Sequence, residues 1–342
     1  MNDLTNLKPT TKTLPVTLKD VAKATGVSIS TVSRILDERL PKSKSKSAER
    51  VRAVAKELGY TRDVMASSLR RGGTGTIGVL VPHLTDTVMA ILYEELAKAA
   101  QNSGYFTIVA TCGDELEEEE KAIESLLGRR VDGLILATSR LDSHSTEKLR
   151  KSGVPHTLVL RTDHTSNSVV GNDVHGGYIA TRHLIDLGHK RIGIVAGPNY
   201  SSNSLGRTEG YKNALTQAGI EFEQSLCIES RFDFESGESA GRTLLSLKNR
   251  PTAIFAVTDN LALGVMSAAK EFQLNPGTDF ALVGYNDTPL ANMLPTPISS
   301  VHIPLDFIAY KAIDLLFGDK TDEIIEIMPS LIPRYSSIHY KV

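Results

Sequence analysis

The glycines of "RRGGTGTIGVLVP", Arg70 to Pro82, have the spacing that most invites a chemical reading: Gly73, Gly75 and Gly78 spell G-x-G-x-x-G. That pattern holds a dinucleotide pyrophosphate when a strand precedes it and a helix follows, because the free N–H groups of the helix then face the phosphates. Here the order is reversed. Asp63 to Arg70 has room for one or two helical turns, too short to be stable alone in water, and the strand-like "TIGVLV" comes after the glycines. The stretch reads as a linker, and a nicotinamide-dependent oxidoreductase is disfavoured. The acidic run "GDELEEEEKAIESLL" offers oxygen ligands for a metal, but Asp and Glu at a helix start also offset the positive end of its dipole. The nine histidines show no H-E-x-x-H spacing, Cys112 and Cys227 stand alone, and neither G-x-S-x-G nor a phosphate-binding P-loop occurs. The reading is therefore no enzyme, no metal and no cofactor.

Charge separates the chain into two parts. Residues 1–75 hold 15 Lys and Arg against 7 Asp and Glu, whereas the rest holds 23 against 33. A basic head on an acidic body suits a protein whose head alone meets a polyanion. The polar N-terminus lacks the apolar stretch of a secretory signal, and no apolar run approaches a membrane span, so a cytoplasmic location away from membranes is expected.

The elements that would carry such a head can be read locally. In "VTLKDVAKATGVSISTVSRILD", Leu18, Val21 and Ala22 mark one apolar helix face, and Gly26 stops that helix with the positive φ that glycine tolerates. Ser28 or Ser30 caps a second helix with Val32, Ile35 and Leu36 turned inward. A third helix begins at Ser47 as its cap and turns Val51, Val54, Ala55 and Leu58 inward. Three short helices with a tight turn between the first two make a helix-turn-helix. Ile29, Ser30 and Arg34 then project from the second helix, where Arg34 suits the major-groove edge of guanine. Thr31 and Ser33 can bond phosphates, and Lys19, Lys42, Lys44 and Lys46 add sequence-blind attraction.

This segment resembles the DNA-binding head of the lactose/galactose repressor family of bacterial transcription regulators. The resemblance implies that Ile29, Ser30 and Arg34 read bases. It also implies that residues 61–75 hold a hinge helix, with Ala66 and Leu69 matching the family's Ala-x-x-Leu and Leu69 wedging the minor groove. A wedge of this kind works in pairs, so a homodimer on a pseudo-palindromic operator is implied. Two departures are local: "LPKSKSKSAERV" replaces the usual entry to helix three, and Arg62 stands where the family has a proline.

From Thr76 onward, apolar runs of strand length ("IGVLV", "YFTIVA", "VDGLILA", "PHTLVL", "RIGIVA", "TAIFAV", "FALVGY") alternate with helical stretches. Alternation of this kind means parallel sheets covered by helices on both faces, with ligands beyond the carboxyl ends of the strands. The resemblance extends to this body through "GHKRIGIVAGP", "GRTEGY", "TDNLALGVM" and "LVGYNDT". The fold class is thus α/β: a two-lobed, periplasmic-binding-protein-like body of doubly wound parallel sheets behind an all-α helix-turn-helix head. The expected domains are a tail over 1–15, the head over 16–60, hinge and linker over 61–75, and an effector-binding and dimerisation body over 76–342. Within that body the N-lobe takes about 76–172 and 303–329, and the C-lobe about 173–302 and 330–342.

The resemblance further implies a small-molecule effector and, residue by residue, its contacts. Arg207 matches the family arginine that binds effector oxygens; Thr258, Asp259 and Asn286 match further polar contacts, although Asp259 can equally cap the following helix. Phe234 stands where the family places a stacking aromatic. His83, Asp86 and Val88 replace residues of the family's Pro-Asp-x-x-Asn-Pro-Phe-Phe, the usual Asp-Arg after the fourth strand is Leu160-Arg161, and a common Asp-Asn pair is inverted to Asn172-Asp173. A sugar is the default ligand, and Arg161 with Arg207 brings a sugar phosphate or sugar acid into consideration. The expectation is an allosteric transcriptional regulator of the repressor type. A solute-binding protein of transport shares the body but should have an export signal and no basic head.

Overall fold

The computed structural model describes residues 16–37, 41–60 and 73–338 and divides the chain into two compact units, Met1–Thr74 and Gly75–Val342. In the first unit, α1 (Leu18–Thr25), α2 (Ile29–Ile35) and α3 (Lys46–Glu57) enclose a small core of Val21, Ala22, Val32, Val51 and Ala55. Their ends are fixed by local bonds. The Asp20 carboxylate accepts from the N–H and the hydroxyl of Thr17 at 2.8 and 2.7 Å, closing the start of α1. Gly26 ends it at φ 71°, its N–H donating to the Ala22 carbonyl at 2.9 Å. Ser28 caps α2 by accepting from Thr31 N–H. The cap of α3 is Ser45, which accepts from Ala48 N–H at 3.2 Å. The expected Ser47 instead lies within the helix, because Lys46 already has helical backbone.

The second unit contains two six-stranded sheets. One takes β1 (Thr76–Val81), β2 (Phe106–Thr111), β3 (Gly133–Leu136), β4 (His156–Val159), β5 (Ser168–Gly171) and β11 (Ile324–Ile327), in the order β11-β5-β4-β3-β1-β2 and parallel throughout. The other takes β6 (Ile192–Ala196), β7 (Cys227–Glu229), β8 (Ala253–Ala256), β9 (Ala281–Asn286), β10 (Ser299–His302) and β12 (Ser330–Ile332), in the order β12-β10-β9-β8-β6-β7. Only β12 runs antiparallel there. The chain passes between sheets after β5, after β10 and after β11. The inner strands β3, β4, β6, β8 and β9 are buried at every residue, as expected when helices cover both faces.

The glycines of the opening motif find their explanation here. Gly75 enters β1 at φ 69°, its N–H donating to Asp132 at 2.6 Å. Gly78 lies inside β1, where an added Cβ would stand 2.8 Å from Leu134 Cδ2. No helix follows them directly; Gly75 turns the chain into β1, and Gly78 lets β1 pack closely against Leu134.

The helices that place the cavity residues are α4 (Thr87–Asn102), α7 (Asp173–Asp186), α8 (Ser202–Gln217), α9 (Phe234–Leu245) and α10 (Asp259–Glu271); α5 (Leu116–Gly128) and α6 (Ser145–Lys151) pack elsewhere on the first sheet. Helices α7 and α8 touch backbone to backbone. A Cβ on Gly177 would stand 2.0 Å from the Arg207 carbonyl oxygen, and one on Gly210 would stand 2.0 Å from that of Val174. Only glycine permits this approach, and it sets Arg207 beside the start of α7. The acidic run opens α5, with Glu117, Glu118 and Glu119 in its first turn. Glu119 is buried and accepts from the hydroxyls of Thr138, Ser143 and Ser145 at 2.7 to 3.2 Å.

Candidate ligand site and nucleic-acid interface

On the three-helix unit, α2 presents its outer face. Ile29 is 41% exposed although it is apolar, and Ser30 and Arg34 are exposed beside it. Thr31 and Ser33 are half-buried on the same helix, and Lys19 is exposed on α1. The Ser28 hydroxyl lies 3.0 Å from that of Ser30 and 2.9 Å from that of Thr31, so the cap also orders this end of α2. Lys42, Lys44 and Lys46 are exposed on the approach to α3, where Arg52 donates to the Ser43 carbonyl at 2.6 Å and anchors the segment. The result is a short helix with exposed polar residues and an exposed isoleucine, with cations around it. Ala66 and Leu69 lie outside the described residues.

In the second unit, a cavity of about 310 Å³ lies at the carboxyl ends of strands from both sheets. The first sheet supplies His83 and Asp86 after β1, Asp114 after β2, and Leu160 and Arg161 after β4. The second supplies Tyr200 and Asn203 after β6, Arg207 from α8, Phe232 and Phe234 around the start of α9, Thr258 and Asn260 around the start of α10, and Asn286 at the end of β9. Asp86 is the N-cap of α4, accepting from Val88 N–H at 2.9 Å. Burial pushes its carboxyl up, opposed by that bond and by one from the Asn260 side chain.

Both cavity arginines are deeply buried, Arg161 at 2% and Arg207 at 3% exposure. Arg161 donates Nη1 and Nη2 to the two Asp114 oxygens at 2.8 and 3.1 Å. Burial by itself would raise the Asp114 carboxyl, but the Arg161 charge and bonds, with the Tyr200 hydroxyl, hold it below the usual carboxylate range. Arg207 donates Nε to Asp173 at 2.8 Å and Nη1 to the Val257 carbonyl at 2.7 Å, and stacks 3.6 Å above the Tyr285 ring. The inverted pair noted in the sequence thus has a use: Asp173 begins α7 and faces the guanidinium that the α7–α8 contact brings to it.

Several bonds join the two lobes beside the cavity. The Tyr200 hydroxyl donates to Asp114 at 3.1 Å, Leu141 N–H donates to the Tyr200 carbonyl at 2.9 Å, and Thr162 N–H donates to the Ser202 hydroxyl at 2.9 Å. Arg140 lies 3.4 Å over the Tyr200 ring.

Of the eight expected ligand residues, seven line the cavity and one does not. Asp259 is turned away. Its Oδ2 accepts from Thr288 N–H and hydroxyl at 2.7 and 3.0 Å, and its Oδ1 accepts from Ser300 at 2.6 Å. Burial pushes this carboxyl up to about 6. It does not cap α10 either; Thr258 does, accepting from Leu261 N–H at 3.2 Å. The next residue, Asn260, takes the place at the cavity wall. Sequence reading also passed over Asp114, Tyr200, Asn203 and Phe232. Asp114 and Tyr200 follow strands already recognised there, so the rule that ligands sit past strand ends could have found them.

Residues 17–63 match "Bacterial regulatory proteins, lacI family", and residues 181–337 match "Periplasmic binding protein-like domain". The chain is 32% identical over 329 residues to the ribose operon repressor of Escherichia coli K12, covering 94% of this chain and 99% of that protein. It is 30% identical to the transcriptional repressor PurR of Vibrio atlanticus, covering 93% and 97%. Among solved structures, a lac repressor dimer bound to operator and the anti-inducer ONPF superposes with a TM-score of 0.84 at 27% identity, over 95% of this chain and 99% of that one. A regulator from Enterococcus faecium with bound ribose does so with a TM-score of 0.66 at 26% identity, over 77% and 98%.

Proposed function

The chain belongs to the lacI family of bacterial regulatory proteins, and on that premise we propose that it is a sequence-specific DNA-binding repressor of transcription, dimeric on its operator and answering to a small molecule. The observation that carries this reading is the joining, in one chain, of a three-helix head with a bare α2 and a two-sheet body with a polar cavity at its strand ends. In it, Ile29, Ser30 and Arg34 read base edges, Lys19, Thr31 and Ser33 hold phosphates, and Leu69 of each subunit wedges the minor groove. His83, Asp86, Arg161, Arg207, Phe234, Thr258 and Asn286 surround the effector. No catalytic turnover belongs to this function, and its place is the cytoplasm, where the DNA is. Among the described residues no helix is long and apolar enough to cross a membrane.

Selection of binding sites from random duplex DNA by the purified protein tests the reading. It should return a two-fold symmetric sequence. On that sequence Arg34→Ala should cost about 1–3 kcal/mol and relax preference at one base pair of each half-site. Lys19→Ala should weaken all sequences alike and flatten the salt dependence. Failure to enrich any sequence would overturn the assignment.

A further inference from the structure

The two arginines that face the cavity are neutralised from within the protein. Asp114 occupies two donors of Arg161, and Asp173 with the Val257 carbonyl occupies two of Arg207. The third cavity cation, Arg231, is exposed and lies 3.7 Å from both Glu115 and Asp233. Against them stands Asp86, whose charge is met by the N-terminus of α4 and by the Asn260 amide.

An anionic ligand entering this space would lose its hydration and find no free cation. It would also lie next to the carboxylates already holding those guanidiniums, and to Asp86. An ammonium group would meet Asp86 but lie among two buried guanidiniums. An uncharged molecule incurs neither cost. What the pairs leave over suits hydroxyl groups: acceptor positions on Asp86 from the first lobe, and further N–H groups of Arg207 with the side chains of Asn203, Thr258, Asn260 and Asn286 from the second. Phe234, 39% exposed, and Met89 offer apolar surface for a ring's C–H face. A planar heterocyclic base would find one open aromatic face, that of Phe234, since Phe232 already lies under Arg161 at 5.4 Å.

We infer that Asp114, by holding Arg161 in an ion pair, closes the carbohydrate site to anionic ligands. The inference deepens the proposed function and rests on reading the cavity as the effector site.

The test measures melting shifts of the full-length protein against four arms. These are neutral sugars (ribose, glucose, galactose, cellobiose), anionic derivatives (ribose 5-phosphate, glucose 6-phosphate, gluconate), glucosamine, and the base hypoxanthine. A neutral sugar should raise the melting temperature, with an affinity that does not fall as salt is raised. Stabilisation confined to the anions or to glucosamine would overturn the charge selection, and stabilisation confined to hypoxanthine would overturn the carbohydrate reading on which it rests; either leaves a ligand-responsive regulator standing. Silence in every arm, with operator affinity also unmoved by all of them, would defeat the effector-site reading itself.

Asp114→Asn keeps the shape and the Tyr200 contact but releases Arg161, so affinity for the phosphate ester of the sugar that binds should rise at least about tenfold. A folded Asp114→Asn protein with no such gain would overturn the role given to Asp114. If that protein fails to fold, Asp114→Asn combined with Arg161→Gln removes both charges together. This double variant should still reject the phosphate, and its acceptance would overturn the same role.

Discussion

At the scale of single residues, the buried arginines hold buried carboxylates and, on the proposed function, bind the effector, and substitution of Arg207 should show both. Arg207→Ala leaves Asp173 buried without its partner, which costs about 3–5 kcal/mol. Urea denaturation should show that loss. Any ligand-induced melting shift should vanish in the same protein while operator binding at low temperature persists. Asp259 makes a prediction of opposite character. Its carboxyl is raised to about 6 in the folded state from 3.8, so the folded protein holds that proton more tightly. The contribution is therefore full below 3.8 and is lost as pH rises through 6, roughly 3 kcal/mol in all. Asp259→Asn should remove this slope, and denaturation at pH 4.5 and 7 would reveal it. The identity of Arg207 and Asn286 as cavity residues was legible through the family resemblance, helped for Asn286 by its place at the end of a recognisable strand. The orientation of Asp259 was not. Adjacent residues at a helix start point in different directions, and which of Asp259 and Asn260 faces the cavity depends on Thr288 and Ser300, distant in sequence.

At the scale of elements, the close contact of α7 with α8 is what holds Arg207 in place. Gly177→Ala puts a methyl group 2.0 Å from a backbone oxygen, so the helices must part. Overpacking of this kind costs typically about 1–3 kcal/mol. The melting temperature should fall, and ligand affinity should fall beyond what Arg207 suffers from instability alone. The proposed hinge over 61–75 makes its own prediction: Leu69→Ala should weaken operator affinity without changing the melting of the body, which gel-shift titration and calorimetry would check. Inner strands were legible as unbroken apolar runs. The strands β5, β7, β10, β11 and β12 were not, since most of them interrupt their apolar residues with serine or glutamate. They are strands because neighbours pair with them, which short-range pattern cannot reveal. Ser45 displaced Ser47 as the cap of α3 for a similar reason: in "KSKSKS" every serine has the same local credentials.

At the scale of the molecule, ligand and operator affinities must be linked reciprocally, typically by about 1–3 kcal/mol. Titrating operator with and without a bound sugar, then sugar with and without operator, should give the same factor twice. The bonds from Tyr200 to Asp114 and Leu141, and from Ser202 to Thr162, bear on how quickly that link responds. They fasten one lobe to the other using protein atoms alone. Parting the lobes must break them, so where release of a guest needs the lobes to part, these bonds should lengthen its residence. Tyr200→Phe removes one of them and should hasten departure in stopped-flow chase experiments. With the fastening intact, such a regulator keeps a short memory of a sugar that has already gone from its surroundings.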